Sequence, residues 1–321
     1  MNSFKAFWVF SYIVHHSFFL KVDGGESLVP ALYVFGDSSV DAGNNNNLHT
    51  HAKANVPPYG IDFNNNATGR FTNGKTFADL IAIKLGLPLQ PPYLGISDSK
   101  RYQVITGINY ASGACGILND TRDGECLSLD KQIEYFTSTV VNDLPKHKHL
   151  KSKDELKHHL SKSIYLISIG SNDYFLNYLN PQIRSYKNMN PEEFADYLLE
   201  QLSSKIKTIY NFGARKFVVG TVNQVGCSPN LYCNETINQM VKPCSDKLLR
   251  KVQEMEKQFS GFTNISKSCI QEGIPCANRK EHYFWDFGHI TEAAVDIYAN
   301  ECFNGSKMCF PDVKKLAHAD L

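Results

Sequence analysis

The sequence predicts an α/β fold built on a mostly parallel sheet, and three apolar runs with similar endings are the main reason. Ala31–Phe35 runs into Gly36-Asp37-Ser38, Ile164–Ile169 into Gly170-Ser171-Asn172-Asp173, and Phe217–Val219 into Gly220-Thr221. Continuous β-branched and aromatic runs of this length suit strands covered on both faces, as in a parallel sheet. Helical patterns lie between them, and strand, helix, strand at this spacing is a βαβ unit. Functional loops in such sheets sit at the carboxyl ends of strands, where all three tips fall.

The helices can be read in the same way. Asn190 is a cap for a helix opened by Pro191, Glu192 and Glu193, a composition that suits the positive end of the helix dipole. Phe194, Leu198, Leu202, Ile206 and Ile209 then recur at three- and four-residue steps, which makes one apolar stripe, and Gly213 ends it. A second helix is expected from about Thr76 to Leu85, with Gly86 as its stop and Pro88 beyond. Residues 146–159 (KHKHLKSKDELKHH) are expected to be a solvated surface segment, since surrounding lysines would repel a cation from the histidines. The asparagine runs at 44–47 and 64–66 read as turn-forming loops.

Composition narrows the function classes. The 321 residues carry 33 Lys+Arg against 32 Asp+Glu, a net charge of +1, which lacks the basic excess of a nucleic-acid surface. With 42% hydrophobic and 20% charged residues the chain is neither disordered nor a coiled coil, and its length supports one large core. No apolar run approaches the roughly 20 residues of a membrane span, so no stable membrane insertion is expected. Lys5 followed by the apolar stretch Phe7–Leu20 resembles a secretory leader, interrupted by His15 and His16, with a buried N-terminal helix as the alternative. The expected organisation is a leader over 1–26 and one domain over 27–321.

Nine cysteines occur without any CxxC spacing, so zinc and thioredoxin-like readings are not favoured. The late cluster suits disulfides formed in an oxidising compartment, with one thiol left over. Cys227–Cys233 and Cys269–Cys276 are candidate local pairs, although spacing alone does not fix connectivity. Sequons at Asn66, Asn119, Asn234, Asn264 and Asn304 agree modestly with secretion and glycosylation, in a chain rich in asparagine.

The chemistry begins with Ser38. Serine needs a base, an orienting acid and donors for the oxyanion before it can cleave an ester. The G-x-S-x-G signature is absent, which leaves Ser38, in the tight loop Gly36-Asp37-Ser38-Ser39, as the nucleophile candidate. His289 lies just before the helix opened by Thr291 and Glu292, and Asp286, three residues earlier on the same loop, can orient its imidazole. Gly113 can present an unobstructed backbone N–H, Asn172 a side-chain amide, and Ser38 its own N–H, which together make a three-donor oxyanion hole. Taken singly, each also has an ordinary reading as a turn, cap or surface residue.

Together, and in this order, the GDS serine, the later glycine, the GxND asparagine and the D-x-x-H pair resemble the GDSL-type lipases and esterases of the SGNH hydrolase superfamily. The phrases YVFGDSSVDAGNNN, TGRFTNGKTFADLIA, GINYASGACGI, YLISIGSNDY, GARKFVVG and FWDFGHITEAA look like the plant secreted branch, over about residues 28–320. The resemblance implies a flavodoxin-like α/β/α fold and no metal or organic cofactor. It also implies Ser38 as nucleophile, His289 as base and Asp286 as its orienter, with Ser38, Gly113 and Asn172 in the oxyanion hole.

The sequence departs from that pattern in three places. Ile290 stands where the family usually has proline. Gly220–Cys227 replaces the usual Pro-Leu-Gly-Cys stretch. The interval between Lys257 and Cys276 looks shorter by about one strand-helix unit, which normally adds a sheet strand near the DxxH loop. The expected activity is hydrolysis of acyl esters, lipids or acetylated wall polymers, by a secreted enzyme of the cell wall or apoplast, in lipid catabolism. Its expected partner is a small-molecule or lipid ester. The competing expectation is a non-catalytic extracellular binding protein that keeps the fold; retention of all five catalytic-type positions favours the enzyme, and the missing segment favours the rival.

Overall fold

The computed structural model describes residues 27–320 apart from 184, 185, 187, 221, 223–225, 227–233, 245–263, 272, 306–308, 310 and 311. The leader, the Cys227–Cys233 pair, residues 221, 223–225 and 227 of the Gly220–Cys227 departure and residues 257–263 and 272 of the 257–276 interval therefore lie outside the described ones. Three strands form the central parallel sheet in the order β1 (Leu32–Gly36), β2 (Ile164–Ser168) and β3 (Lys216–Val219). Leu32 pairs with Ile164 and Gly36 with Ser168, so the Ser38 and Asn172 tips leave the same end of the sheet side by side. On its other side β1 exchanges parallel backbone bonds with residues 106–112, and Asn109 in turn bridges to Pro92.

Every residue of β1 is buried, as its continuous apolar run requires. Alternate residues serve two different cores. Tyr33 and Phe35 pack with α2 (Leu129–Ser138), α3 (Lys153–Lys162) and α4 (Pro191–Asn211) through Phe136, Leu160, Leu198 and Ile209. Leu32 and Val34 pack against α1 (Phe77–Lys84), and through Val295, Ala299 and Val313 against two late helices, α6 (Glu292–Asn304) and α7 (Val313–His318). The result is the three-layer α/β/α architecture. A further helix, α5, spans residues 235–244 and adds Val241 to the first core.

Local sequence explains the helix ends. Asn190 accepts from the Glu193 N–H while Glu193 returns a bond to the Asn190 N–H, with Pro191 in the first turn of α4. Thr76 and Asp79 make the same reciprocal cap on α1. The solvated reading of 146–159 needs one correction. Most of that run is exposed, but His159 is buried, because it lies on the inner face of α3 beside Leu160 and meets the Tyr33 hydroxyl at 3.2 Å. Burial pushes its imidazole down to about 4, so it stays neutral in the core.

Beyond β3 the sheet changes. β4 (Asn264–Ser268) pairs in parallel with β7 (His282–Phe284), and β5 (Ile270–Gln271) with β6 (Ile274–Pro275), but among the described residues neither pair joins β3. Among the described residues there are three disulfides: Cys115–Cys126, Cys269–Cys276 and Cys302–Cys309. The Cys269–Cys276 expectation matches one of them. Cys115–Cys126 is early in the chain, where no late-cluster argument reaches.

Candidate active site

β1 delivers Ser38 two residues past its end, and the approach is tightly held. A Cβ on Gly36 would lie 2.4 Å from the Ser168 carbonyl oxygen, so only glycine lets the two strand ends come this close. Gln132 of α2 clamps the same residue, accepting from the Gly36 N–H at 2.9 Å and donating to its carbonyl at 2.8 Å. Beyond it, the Asp37 N–H bonds the Ser168 carbonyl, and the Asp37 carboxylate accepts from the Ser39 N–H.

The DxxH loop comes from the other end of the chain. It is closed on itself by the Trp285 N–H donating to the His289 carbonyl at 2.7 Å. Outside support comes from two directions. β4 and the residues after it bond β7, Cys269 N–H to Phe284 and Ile270 N–H to Trp285. From the other side Thr72 donates to the Ile290 carbonyl and Asn73 accepts from the Glu292 N–H. Ile290 is extended and bridges Phe284, a backbone that suits isoleucine and proline alike.

Across this junction Ser38 Oγ and His289 Nε2 are 2.8 Å apart, while His289 Nδ1 lies 2.8 and 2.9 Å from the two oxygens of Asp286. Asp286 is buried and also accepts from the Gly288 and His289 N–H groups on Oδ1 and from the Tyr59 hydroxyl on Oδ2. Burial alone would raise its carboxyl, but the His289 contact and these donors hold it below the usual carboxylate value. Burial likewise pulls the imidazole down, and the Asp286 and Asp37 carboxylates more than offset this, so His289 sits above its ordinary value of 6.5.

The oxyanion candidates are arranged less simply. Among the described residues no hydrogen bond engages the Ser38 N–H. The Asn172 amide donates one hydrogen to the Cys115 carbonyl at 2.9 Å, which leaves its second. The Gly113 N–H, which no side chain of its own obstructs, donates to Asp41 at 3.0 Å. The physical reason is that Asp41 is a fully buried carboxylate that must collect donors, here from Gly43, Asn44 and Gly113. Even so, burial pushes its carboxyl up to about 6. A side chain at 113 would strike Phe71 at 2.7 Å, and Phe71 lies against the His289 ring with centroids 5.1 Å apart.

Several residues here escaped the sequence reading. Asn44 and Asn45 are not simple loop residues: buried, they donate to the carbonyls of Asn109, Ala111 and Gly113. They fasten the Ser38 loop to the glycine segment. Their signal was the position of an asparagine run directly after the nucleophile loop, since buried amides there need backbone partners. Phe71 and Tyr59 carried no such signal, because only the fold brings them to His289 and Asp286.

No metal-binding group overlaps the triad among the described residues. The single His/Cys cluster, Cys269, Cys276 and His282, contains the two sulfurs of a disulfide. No described helix is long and apolar enough to cross a membrane. The sequons at Asn66, Asn119, Asn234 and Asn304 are exposed, and the side chain of Asn264 lies outside the description.

A serine, histidine and aspartate in contact at the carboxyl end of a parallel α/β/α sheet define a class, the serine hydrolases. The family described as GDSL-like Lipase/Acylhydrolase matches residues 32–302, and the chain belongs to it. It is therefore a carboxylic ester hydrolase of the GDSL type. Similar proteins include a GDSL esterase/lipase of Arabidopsis thaliana, 35% identical over 93% of this chain and 88% of the relative. A second from that plant is 38% identical over 87% of this chain and 86% of its own, and GDSL esterase/lipase 7 is 35% identical over 88% and 89%. The first alignment runs over 344 positions against 321 residues here, so that relative carries residues this chain lacks.

Proposed function

We propose that the protein is a secreted, glycosylated esterase that cleaves acyl esters through an acyl-enzyme on Ser38, acting in lipid catabolism outside the cell. The observation that carries this reading is the unbroken chain of contacts from Ser38 Oγ through His289 to Asp286. Ser38 Oγ attacks the ester carbonyl carbon as His289 Nε2 takes its proton, and Asp286 stabilises the imidazolium. The oxyanion is met by the Ser38 N–H and the second Asn172 hydrogen. Gly113 contributes when its N–H turns from Asp41, which keeps Gly43 and Asn44 as donors. Collapse expels the alkoxide, which takes the proton from His289. Water then attacks the acyl-serine with His289 again as base, and the carboxylic acid leaves. Phe287, exposed between Asp286 and Gly288 at 63%, offers apolar surface beside the triad and supports an acyl substrate.

Secretory expression, assay on short-chain p-nitrophenyl esters and labelling with an organophosphonate test the proposal together. Turnover with an adduct on Ser38 alone is the expected result. Labelling at another serine refutes the mechanism, and a folded protein that neither turns over nor labels supports the non-catalytic alternative. A mass decrease on glycosidase treatment checks the sequons.

A further inference from the structure

We propose that Tyr59 is a positioning residue for the triad: its hydroxyl pins one oxygen of Asp286 and so sets how firmly, and with how much charge, that carboxylate holds His289. The inference rests on the triad reading above. It starts from an asymmetry in the carboxylate. Oδ1 accepts two backbone N–H groups, from Gly288 and His289, which come with the loop itself. Among the described residues Oδ2 has no backbone donor and, apart from the imidazole, accepts only from Tyr59, at 2.7 Å and across 227 residues of sequence. Both oxygens lie within reach of Nδ1. A carboxylate held on one oxygen alone can swing about that point, and the Tyr59 contact supplies the second point.

The phenol is suited to this. Its ring packs edge-on against Trp285, the residue before Asp286, and against Phe71, which lies on the His289 ring. Its loop is fastened to the same late segment it serves. Asp62 is gripped by Nε and one terminal nitrogen of Arg279, seven residues before Asp286, and the Gly60 N–H donates to the carbonyl of Thr72, whose hydroxyl donates to the Ile290 carbonyl. Burial and the Asp286 carboxylate push the phenol well above its ordinary range, so it remains a neutral donor throughout the working pH of an esterase. The ionisable groups facing the imidazole are Asp286 on its own loop and Asp37 from the β1 loop, and only the first is touched by Tyr59.

Removing the donor has two consequences with distinct readouts. The carboxylate loses orientation, which lowers kcat. It also regains charge that the phenol had drawn off, which raises the basicity of His289 and moves the acid limb of the rate profile to higher pH. The test is Tyr59→Phe, which keeps the ring and its packing, assayed across pH on a p-nitrophenyl ester beside Ser38→Ala. Expected are a kcat lower by about tenfold, the scale of one hydrogen bond to a charged group, with KM little changed and the acid limb displaced upward. A purely structural role would lower the melting temperature without moving that limb.

Replacing Tyr59 by 3-fluorotyrosine keeps the fold even where phenylalanine does not. The more acidic phenol should shift the limb the other way, to lower pH. Unchanged kcat and an unchanged acid limb in both variants overturn the inference, with the triad intact if Ser38→Ala is inactive. Full turnover in Ser38→Ala overturns the triad reading and the role of Tyr59 with it.

Discussion

At the scale of single residues, the proposed mechanism assigns unequal costs to Ser38, His289 and Asp286. Ser38→Ala and His289→Ala each remove the reacting pair, so either should reduce turnover to the residual given by binding and the oxyanion donors. Combining them should cost little more, since the residues act as a unit. Asp286→Asn leaves the shape but presents an amide hydrogen to Nδ1, and a fall of about three to four orders of magnitude in kcat is expected. Steady-state kinetics on one ester compare all four variants.

Protonation of His289 is the other residue-scale lever. The base works only when neutral, and its folded value lies above 6.5, so activity should fall on an acid limb centred above that pH. A limb centred well below it would contradict the buried Asp286 and Asp37 contacts. Gly113→Ala drives a methyl group into Phe71. It should lower kcat through the displaced imidazole far more than it lowers the melting temperature.

At the scale of elements, α1 is fixed to the nucleophile loop by one buried ion pair. Arg70 donates through Nε and one terminal nitrogen to both oxygens of Asp79 at 2.6 and 2.8 Å, and also reaches the Ala42 carbonyl. Asp79 is at the same time the third-position partner of the Thr76 cap of α1. Burial would raise its carboxyl, but Arg70 more than offsets this and holds it below 3.8. A depressed carboxyl contributes stability that is present above its unfolded value and lost as pH falls through the folded one. The contribution of this pair should therefore persist at neutral pH and vanish only in strong acid. Asp79→Ala strands the guanidinium in the core and should cost about 3–5 kcal/mol, read from denaturant unfolding. The Asn190 cap of α4 is exposed and replaceable, and Asn190→Ala should cost about 1 kcal/mol.

At the scale of the whole molecule, two cores share one sheet, and the catalytic loop straddles chain ends that begin far apart. Ser38 and His289 are 251 residues apart in sequence, so their contact depends on the late segment docking beside α1. That docking is reinforced by covalent links, Cys269–Cys276 beside β7 and Cys302–Cys309 at the end of α6. Reduction should lower stability by about 2–4 kcal/mol per bridge opened. Thermal melts with and without reductant measure this, and activity should fall with the late segment before the β1–β3 core unfolds. Among the described residues the β4–β7 pair does not join β3, so the DxxH loop is not held through the central sheet there. The described contacts of Thr72 and Asn73 with the DxxH loop support that loop from the α1 side.

The sequence by itself determined whatever is written in local pattern. Strands buried on both faces show as unbroken apolar runs, α4 as a capped stripe from Asn190 to Ile209, and the candidates Ser38, Asp286 and His289 as motifs taken together and in order. Only the tertiary structure decided which buried groups share their hydrogen bonds. Asp41 draws off the Gly113 N–H, His159 turns inward to Tyr33, and Asn44 and Asn45 become clamps rather than turns. Tyr59 reaches Asp286 across 227 residues, and no spacing rule connects them. The reason is physical: periodicity and capping act within a few residues of the chain, whereas a buried polar group is satisfied by whatever donor the packed fold brings within about 3 Å of it.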